Sequence, residues 1–253
     1  MEDIVFSRRQ GLKALGVAAG AAVIGTGLAR VANAAPRILT PGPDGTEYAV
    51  TVINNSSNDF DICMYQEDPD LGVPNVMSLA WFTKFAVSNS QVRFSWTIDY
   101  SFVWSETGFL KPGVNFTASQ TWPADPSVNR VGNVKQAGNQ LGLTHGKGYE
   151  FTSTPTKGAQ VGTLYIAEDA TIPLKQASVG IGMGGSGTFA VQAQPNLPLT
   201  FTPHPNYWVT AGSFSKGEVM DIGAITNAAS IEFEPGVFEK QAVLNQDNTW
   251  TVK

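Results

Sequence analysis

Alternation of apolar and polar residues from position 92 to position 104 constrains the fold more than any other feature of this chain. The even-numbered positions are all large and apolar, the set being Val92, Phe94, Trp96, Ile98, Tyr100, Phe102 and Trp104. The odd-numbered positions are polar, with Val103 as the single exception. Successive side chains of a β-strand point to opposite faces, whereas a helix would spread these aromatics around its axis. The pattern therefore predicts extended structure with one face in a large core and the other in water.

The alternating stretch is longer than one ordinary strand. Its thirteen residues, at about 3.3 Å each, would span roughly 43 Å. Strands of globular proteins usually have about 3–10 residues. We expect the stretch either to bend and serve two sheets, or to divide into two strands that meet between Ile98 and Tyr100.

The remaining apolar segments are short and are separated by Gly, Pro and Asn at intervals of about 8–12 residues, as in all-β sandwiches. We predict an all-β fold, a two-sheet antiparallel sandwich that is jelly-roll-like, as one domain over residues 46–253. Residues 76–85 fit a strand or a short helical turn, and residues 123–148 fit a long excursion with at most one irregular strand. The first two strands are predicted to form a hairpin. Besides residues 92–104, the predicted strands are 48–53, 60–64, 114–119, 161–167, 177–183, 188–193, 197–202, 207–214, 218–222, 230–233, 237–244 and 249–252.

Residues 1–34 have the parts of a bacterial export signal. Arg8 and Arg9 stand in Ser-Arg-Arg-Gln-Gly-Leu-Lys, which resembles the twin-arginine signal family, although Gly11 replaces the usual Phe. An Ala/Gly-rich run follows, and Ala-Asn-Ala predicts cleavage after Ala34. The alternative is an uncleaved anchor. It is disfavoured because the apolar run over residues 14–28 is shorter than the roughly 20 residues of a membrane span.

This resemblance implies a partner and a location. The twin-arginine translocase would carry the protein out of the cytoplasm in folded form, to the periplasm or the outside of the cell. The mature chain would be residues 35–253, with a flexible lead-in over residues 35–45 and no membrane span.

Charge and cysteine content exclude some classes of function. The whole chain has a net charge of −5, and removal of residues 1–34 would make it about −7. Such an acidic surface repels phosphate backbones, so no nucleic-acid partner is expected. Cys63 is the only cysteine, so no intramolecular disulfide and no cysteine-based metal cage can form within the chain.

Two patterns resemble binding motifs without their required context. Residues 182–187 match G-x-G-x-x-G, but the following residues predict a strand instead of the helix that a nucleotide site needs. A Gly-rich hairpin is the better interpretation. Residues 59–70 hold five acidic residues but lack the spacing of a calcium loop, so a solvated acidic loop is expected. We predict no metal, no cofactor and no identifiable catalytic residue.

Aromatic residues near predicted loops are the candidate ligand-binding residues. His204 lies between Pro203 and Pro205, which stiffen the backbone just before Tyr207 and Trp208. Together with Trp122, these side chains could stack against a glycan or another small ligand. The alternative is a rigid turn whose aromatics belong to the core.

Three segments resemble the RhiA-type rhizosphere-expressed proteins: residues 71–82, 94–108 and 201–208. The resemblance spans most of the predicted mature chain and brings no catalytic motif with it. It implies an abundant protein of undetermined activity. The predicted function is therefore an exported, non-catalytic binding or surface-interaction protein with an unidentified ligand, such as a glycan. The alternatives are an exported hydrolase with catalytic groups on its loops and a self-assembling structural protein.

Overall fold

Strands form nearly all the regular structure of the residues that the computed structural model describes, which are 45–67, 75–127, 138–152, 158–203 and 206–253. Within these ranges the only helical element is a 3₁₀ turn at Ile222–Ala224, and no helix has the length and apolar character to cross a membrane. The strands are β1 (Glu47–Asn54), β2 (Phe60–Gln66), β3 (Met77–Ser78), β4 (Phe82–Ala86), β5 (Ser90–Thr97), β6 (Tyr100–Ser105), β7 (Gln120–Ala124), β8 (Gln140–His145), β9 (Tyr149–Phe151), β10 (Leu164–Glu168), β11 (Ser178–Met183), β12 (Ser186–Gln192), β13 (Pro198–Phe201), β14 (Tyr207–Gly212), β15 (Ala228–Ile231), β16 (Glu239–Leu244) and β17 (Trp250–Val252).

Four sheets pack as two sandwiches. In the first, which we name the terminal sandwich, the sheet β17-β16-β1-β5 faces the sheet β15-β14-β2-β4. In the second, the middle sandwich, the sheet β3-β12-β11-β6-β7 faces the sheet β13-β10-β8-β9. The predicted all-β sandwich is confirmed, but the described strands form four sheets instead of two. Two parallel pairs, β1 with β16 and β10 with β8, interrupt the otherwise antiparallel pairing.

The alternating stretch divides into two strands, as one of the two expectations stated. Strand β5 belongs to the terminal sandwich and buries Phe94 and Trp96, whereas β6 belongs to the middle sandwich and buries Phe102 and Trp104. The chain crosses between the sandwiches at Ile98 and Asp99.

The Asp99 carboxylate stabilises this crossing. It accepts hydrogen bonds from Thr97 Oγ1 at 2.9 Å and from the Gly184 amide at 3.1 Å. Asp99 therefore has a structural role.

The polar face of the stretch is not in water throughout. Ser101, Val103 and Ser105 are all buried. Strand β6 lies inside its sheet, between β11 and β7, and Val103 packs on a third apolar cluster formed by Leu79, Leu110, Phe116, Ala190 and Val219. The prediction that this face is exposed to water is wrong for β6, because loops cover the sheet surface that faces away from the main core.

The predicted hairpin of the first two strands is also wrong. Strand β1 pairs with β5 and β16, whereas β2 pairs with β4 and β14, so the polar connection links two facing sheets. Asn54 stabilises this arch: its side chain donates to the Ala86 and Asn58 carbonyl oxygens at 3.1 and 2.8 Å and accepts from Ser56 Oγ at 2.6 Å. A buried amide with several partners suits an arch better than an exposed two-strand turn.

Some local predictions failed and others held. Residues 114–119 are not a strand, and the strand instead follows as β7. Residues 218–222 form only isolated bridges, to Leu79 and Asn115. Residues 76–85 hold the short strands β3 and β4, and the 123–148 excursion contains β8. The Gly-rich hairpin is confirmed: β11 and β12 pair across Gly184 and Gly185, whose φ angles of 57° and 74° fit a type I′ turn.

Candidate functional site

A cleft of about 320 Å³ lies on the face of the β15-β14-β2-β4 sheet that points away from the terminal core. We name it the acidic cleft, because Glu218 and Asp221 are the only charged residues in its lining within the part of the chain that the structure describes. Its apolar surface comes from Phe214, Val219, Met220 and Ile225, and its other polar groups from Thr210, Thr226 and Asn227. The lining is therefore mostly apolar, with a few polar groups.

Backbone hydrogen bonds hold the chain segment 213–227 that forms most of this cleft. The Met220 amide donates to Ser78 O at 2.9 Å, and the Val219 amide donates to Val114 O at 2.8 Å. On the other edge, Thr210 Oγ1 donates to Asn227 O at 2.6 Å. The segment is thus fixed to β14, to β3 and to the loop at Val114, so the cleft is preformed.

An apolar cluster supports the cleft from the sheet side. Cys63, Tyr65, Ala80 and Met220 are buried there, and partly buried Trp208 packs with them. Tyr65 and Trp208 are cross-strand partners whose rings stack at 6.4 Å between centroids. The Trp208 indole N–H is buried and has no acceptor among the described residues.

The charges around the cleft are not arranged as a nucleophile with a base. Glu218 Oε2 accepts the Ser215 amide at 2.9 Å, and Asp221 is exposed to solvent. Burial raises the pKa of the Cys63 thiol, and the nearby carboxylates of Glu218 and Asp61 raise it further. The thiol therefore stays protonated and is a poor nucleophile.

Potential metal-binding side chains do not cluster in the residues that the structure describes. Within the described ranges no three His, Cys, Asp or Glu side chains come together in a group that could hold an ion.

The structure does not bring the sequence-predicted ligand residues together at a surface. Tyr207 is only 1% exposed; its hydroxyl accepts the Trp96 indole N–H at 3.3 Å, and its ring stacks on Trp81. The expectation that Tyr207 meets a ligand from a loop is wrong, because its side chain belongs to the terminal core. Trp208 points to the opposite face of β14 and supports the acidic cleft.

The other predicted residues lie elsewhere. Trp122 is part of β7, is half-buried and packs against the middle core instead of standing on a loop. His204 lies outside the described residues, as do Arg8 and Arg9 of the predicted signal.

Sequence reasoning missed the residues that line the acidic cleft. Glu218 and Asp221 fall in a segment predicted to be a strand, and Thr210 lies in a strand predicted on its apolar content alone. No local pattern distinguishes these residues from other surface polar groups, since the cleft arises from the return of the 213–227 segment over β14.

Comparison with known proteins covers most of the chain. The family model RhiA matches residues 45–253. Protein RhiA of Rhizobium leguminosarum bv. viciae is 39% identical over 212 residues, which are 82% of this chain and 87% of that protein. No solved structure matches. The matched residues contain both sandwiches and the acidic cleft, and at this identity and coverage the chain belongs to the RhiA family.

Proposed function

We propose that this protein is a non-catalytic binding protein that holds a small ligand in the acidic cleft. The supporting observation is the composition of the cleft. A preformed concavity of about 320 Å³ with a mainly apolar lining and a few polar groups is typical of small-molecule sites. The volume corresponds to about ten water molecules, which suits a ligand of similar heavy-atom count.

The lining indicates the chemistry of this ligand. Ile225 and Phe214, which are partly exposed, offer apolar contact, while Glu218 and Asp221 carry negative charge. A ligand with an apolar skeleton and an amine, or with several hydroxyl groups, would match both the apolar lining and the two carboxylates. A glycan remains in this class through its hydroxyl groups, but the ring stacking expected of Tyr207 no longer supports it.

The binding interpretation is preferred to a hydrolase for a chemical reason. Two carboxylates in one cleft can cleave a glycosidic bond when one of them is a general acid shielded from water. Here Asp221 is exposed, and Glu218 already accepts the Ser215 amide, so neither carboxyl group is placed as a shielded acid. This arrangement suits the recognition of a donor group better than proton transfer.

Titration calorimetry with hexylamine, hexanoate and glucose tests the proposal. We expect hexylamine to bind and Asp221→Asn to weaken it several-fold. Ala224→Trp, which places a large ring on an exposed lining position, should abolish it. Glu150→Gln, which removes an exposed carboxylate from β9 in the middle sandwich, is the matched control and should change nothing. Equal affinity of all four proteins would contradict the site, and turnover of a nitrophenyl glycoside would favour the hydrolase.

Export is a separate part of the proposal and rests on residues 7–13 and the Ala-Asn-Ala at 32–34. The double change Arg8→Lys and Arg9→Lys should retain the protein in the cytoplasm, whereas Arg37→Lys, the same change outside the signal, should not. Fractionation of the native host shows the location, and mass spectrometry of the exported form should give Ala35 as the first residue. Normal export of the double variant would refute this route.

A further inference from the structure

We propose that a second cleft, distinct from the acidic cleft, binds a small organic anion with an apolar chain. This cleft has a volume of about 230 Å³. Its floor is formed by the buried side chains of Leu79, Trp81, Val103 and Phe116, and its rim by Thr117, Thr121, Ser186 and Lys216. We name it the cationic cleft, because Lys216 is the only charged residue among the described residues that line it.

The apolar part of the cationic cleft is rigid, and the indole N–H of Trp81 has a hydrogen-bond acceptor. Trp81 donates its indole N–H to Met183 O at 2.8 Å, so the ring is anchored in the sheet. Gly187 lets Leu79 and Phe116 pack closely against β12: a Cβ atom at this position would lie 3.1 Å from Leu79 Cδ1 and 3.5 Å from the Phe116 ring. This close packing fixes two of the side chains that form the floor of the cleft.

The charge of the rim determines which end of a ligand faces outward. Lys216 forms no ion pair with any described carboxylate, and its ammonium lies 6.0 Å from the centroid of the Phe82 ring. The hydroxyl groups of Thr117, Thr121 and Ser186 add hydrogen-bond donors on the same rim. An unpaired ammonium with neighbouring hydroxyl donors matches a carboxylate or a similar anionic head group.

One chain segment contributes to both clefts, whose charged lining residues have opposite signs. Residues 216 and 217 line the cationic cleft, whereas residues 218–221 of the same segment line the acidic cleft. An amphiphile with a negative head is repelled by Glu218 and Asp221 and attracted by Lys216. Head-group charge should therefore select the cleft for ligands of equal chain length.

Hexanoate and hexylamine, which have the same chain length and opposite charges, are the probes for this inference. The volume holds about eight water molecules, close to the heavy-atom count of hexanoate. Chemical-shift titration of the full chain should show hexanoate binding with a Kd of about 1 mM, as expected for so small a ligand. Lys216→Gln should weaken it five- to tenfold by loss of the charged contact, on the order of one typical net hydrogen bond.

Two further variants keep the result interpretable. Thr121→Trp places a ring over the cleft from an exposed position of β7 and should abolish hexanoate binding without emptying the core. Lys147→Gln, which removes an exposed ammonium from the loop between β8 and β9, is the control and should bind as the unchanged protein does. Thermal melts verify that each variant folds.

The outcomes separate this site from the proposed function. The cationic cleft would be overturned if hexanoate binding did not saturate up to roughly 10 mM. It would also be overturned if the Lys216→Gln and Thr121→Trp variants bound hexanoate as tightly as the unchanged protein. Shifts confined to residues 218–227, with loss in Ala224→Trp, would also overturn it, because hexanoate would then occupy the acidic cleft. Failure of hexylamine to bind concerns the proposed function alone.

Discussion

Glu168, at the end of β10, makes stability depend on pH in a direction opposite to that of most carboxylates. Its side chain is 5% exposed. One carboxylate oxygen accepts the Gln194 amide at 3.2 Å, and the other has no partner among the described residues. Burial raises the pKa of Glu168 from 4.5 to about 8, and the Gln194 hydrogen bond only partly opposes this rise. Between about pH 4.5 and pH 8 the folded protein thus keeps a proton on Glu168 that the unfolded chain releases.

The sign and size of the effect follow from this difference. Stability from the protonated Glu168 is fully present below pH 4.5 and is lost as the pH rises through about 8. At about 1.4 kcal/mol per unit of pKa difference, the loss amounts to roughly 4–5 kcal/mol in unfolding free energy. Glu168→Gln keeps an acceptor for the Gln194 amide and carries no charge at any pH, so it should remove this dependence.

Urea unfolding at pH 5 and pH 9 measures the effect. At pH 9 the Glu168→Gln variant should be more stable than the unchanged protein by roughly 4 kcal/mol, and at pH 5 the two should agree within about 1 kcal/mol. Glu150→Gln, on the exposed face of neighbouring β9, corrects for general charge repulsion and should track the unchanged protein at both pH values. The same difference at both pH values, or a less stable variant at pH 9, would refute the buried-acid reasoning.

Three further predictions concern packing and reactivity. Trp96→Ala should lower the unfolding free energy by about 3–5 kcal/mol; a loss below about 1 kcal/mol in denaturant melts would show that this side chain is not buried. Gly184→Ala should cost more stability than Gly185→Ala, since both φ angles are positive but only at 184 would the new Cβ lie 2.9 Å from Trp96 Cβ; equal melting temperatures would contradict this. Cys63 should resist a thiol reagent in the native protein and react after unfolding, and rapid native labelling would contradict its burial.

Alternation predicted burial correctly where one face of a strand is open. Strand β5 lies at the edge of its sheet, and Arg93 and Ser95 on its polar face are exposed. The same pattern failed in β6, where both faces are covered and small hydroxyl side chains fit in the interior. Val103, the one apolar residue at an odd position, was the only local sign of this second buried face.

Pairing and the candidate site could not be predicted from local pattern. Alternation shows that residues 48–53 and 60–64 are strands, but their partners β16 and β14 come from the last part of the chain. The acidic cleft likewise depends on long-range closure, because Glu218 and Asp221 become cleft residues only when residues 213–227 fold back over β14. Tyr207 and Trp208 show why the site could not be predicted. Adjacent residues on a strand point to opposite faces of the sheet, and the sequence alone did not show which face packs into the core.

The parallel pairing of β1 with β16 has a consequence for the order of folding during synthesis. Strand β1 keeps one unpaired edge until the residues of β16 have also emerged from the ribosome. The middle strands can assemble earlier, because β6 to β13 are contiguous in the chain, apart from the two-residue β3. Long-range contacts of this kind slow folding. The nascent chain therefore carries a half-built terminal sandwich, with an open β1 edge available for aggregation or chaperone binding, until the residues of β16 have been synthesised.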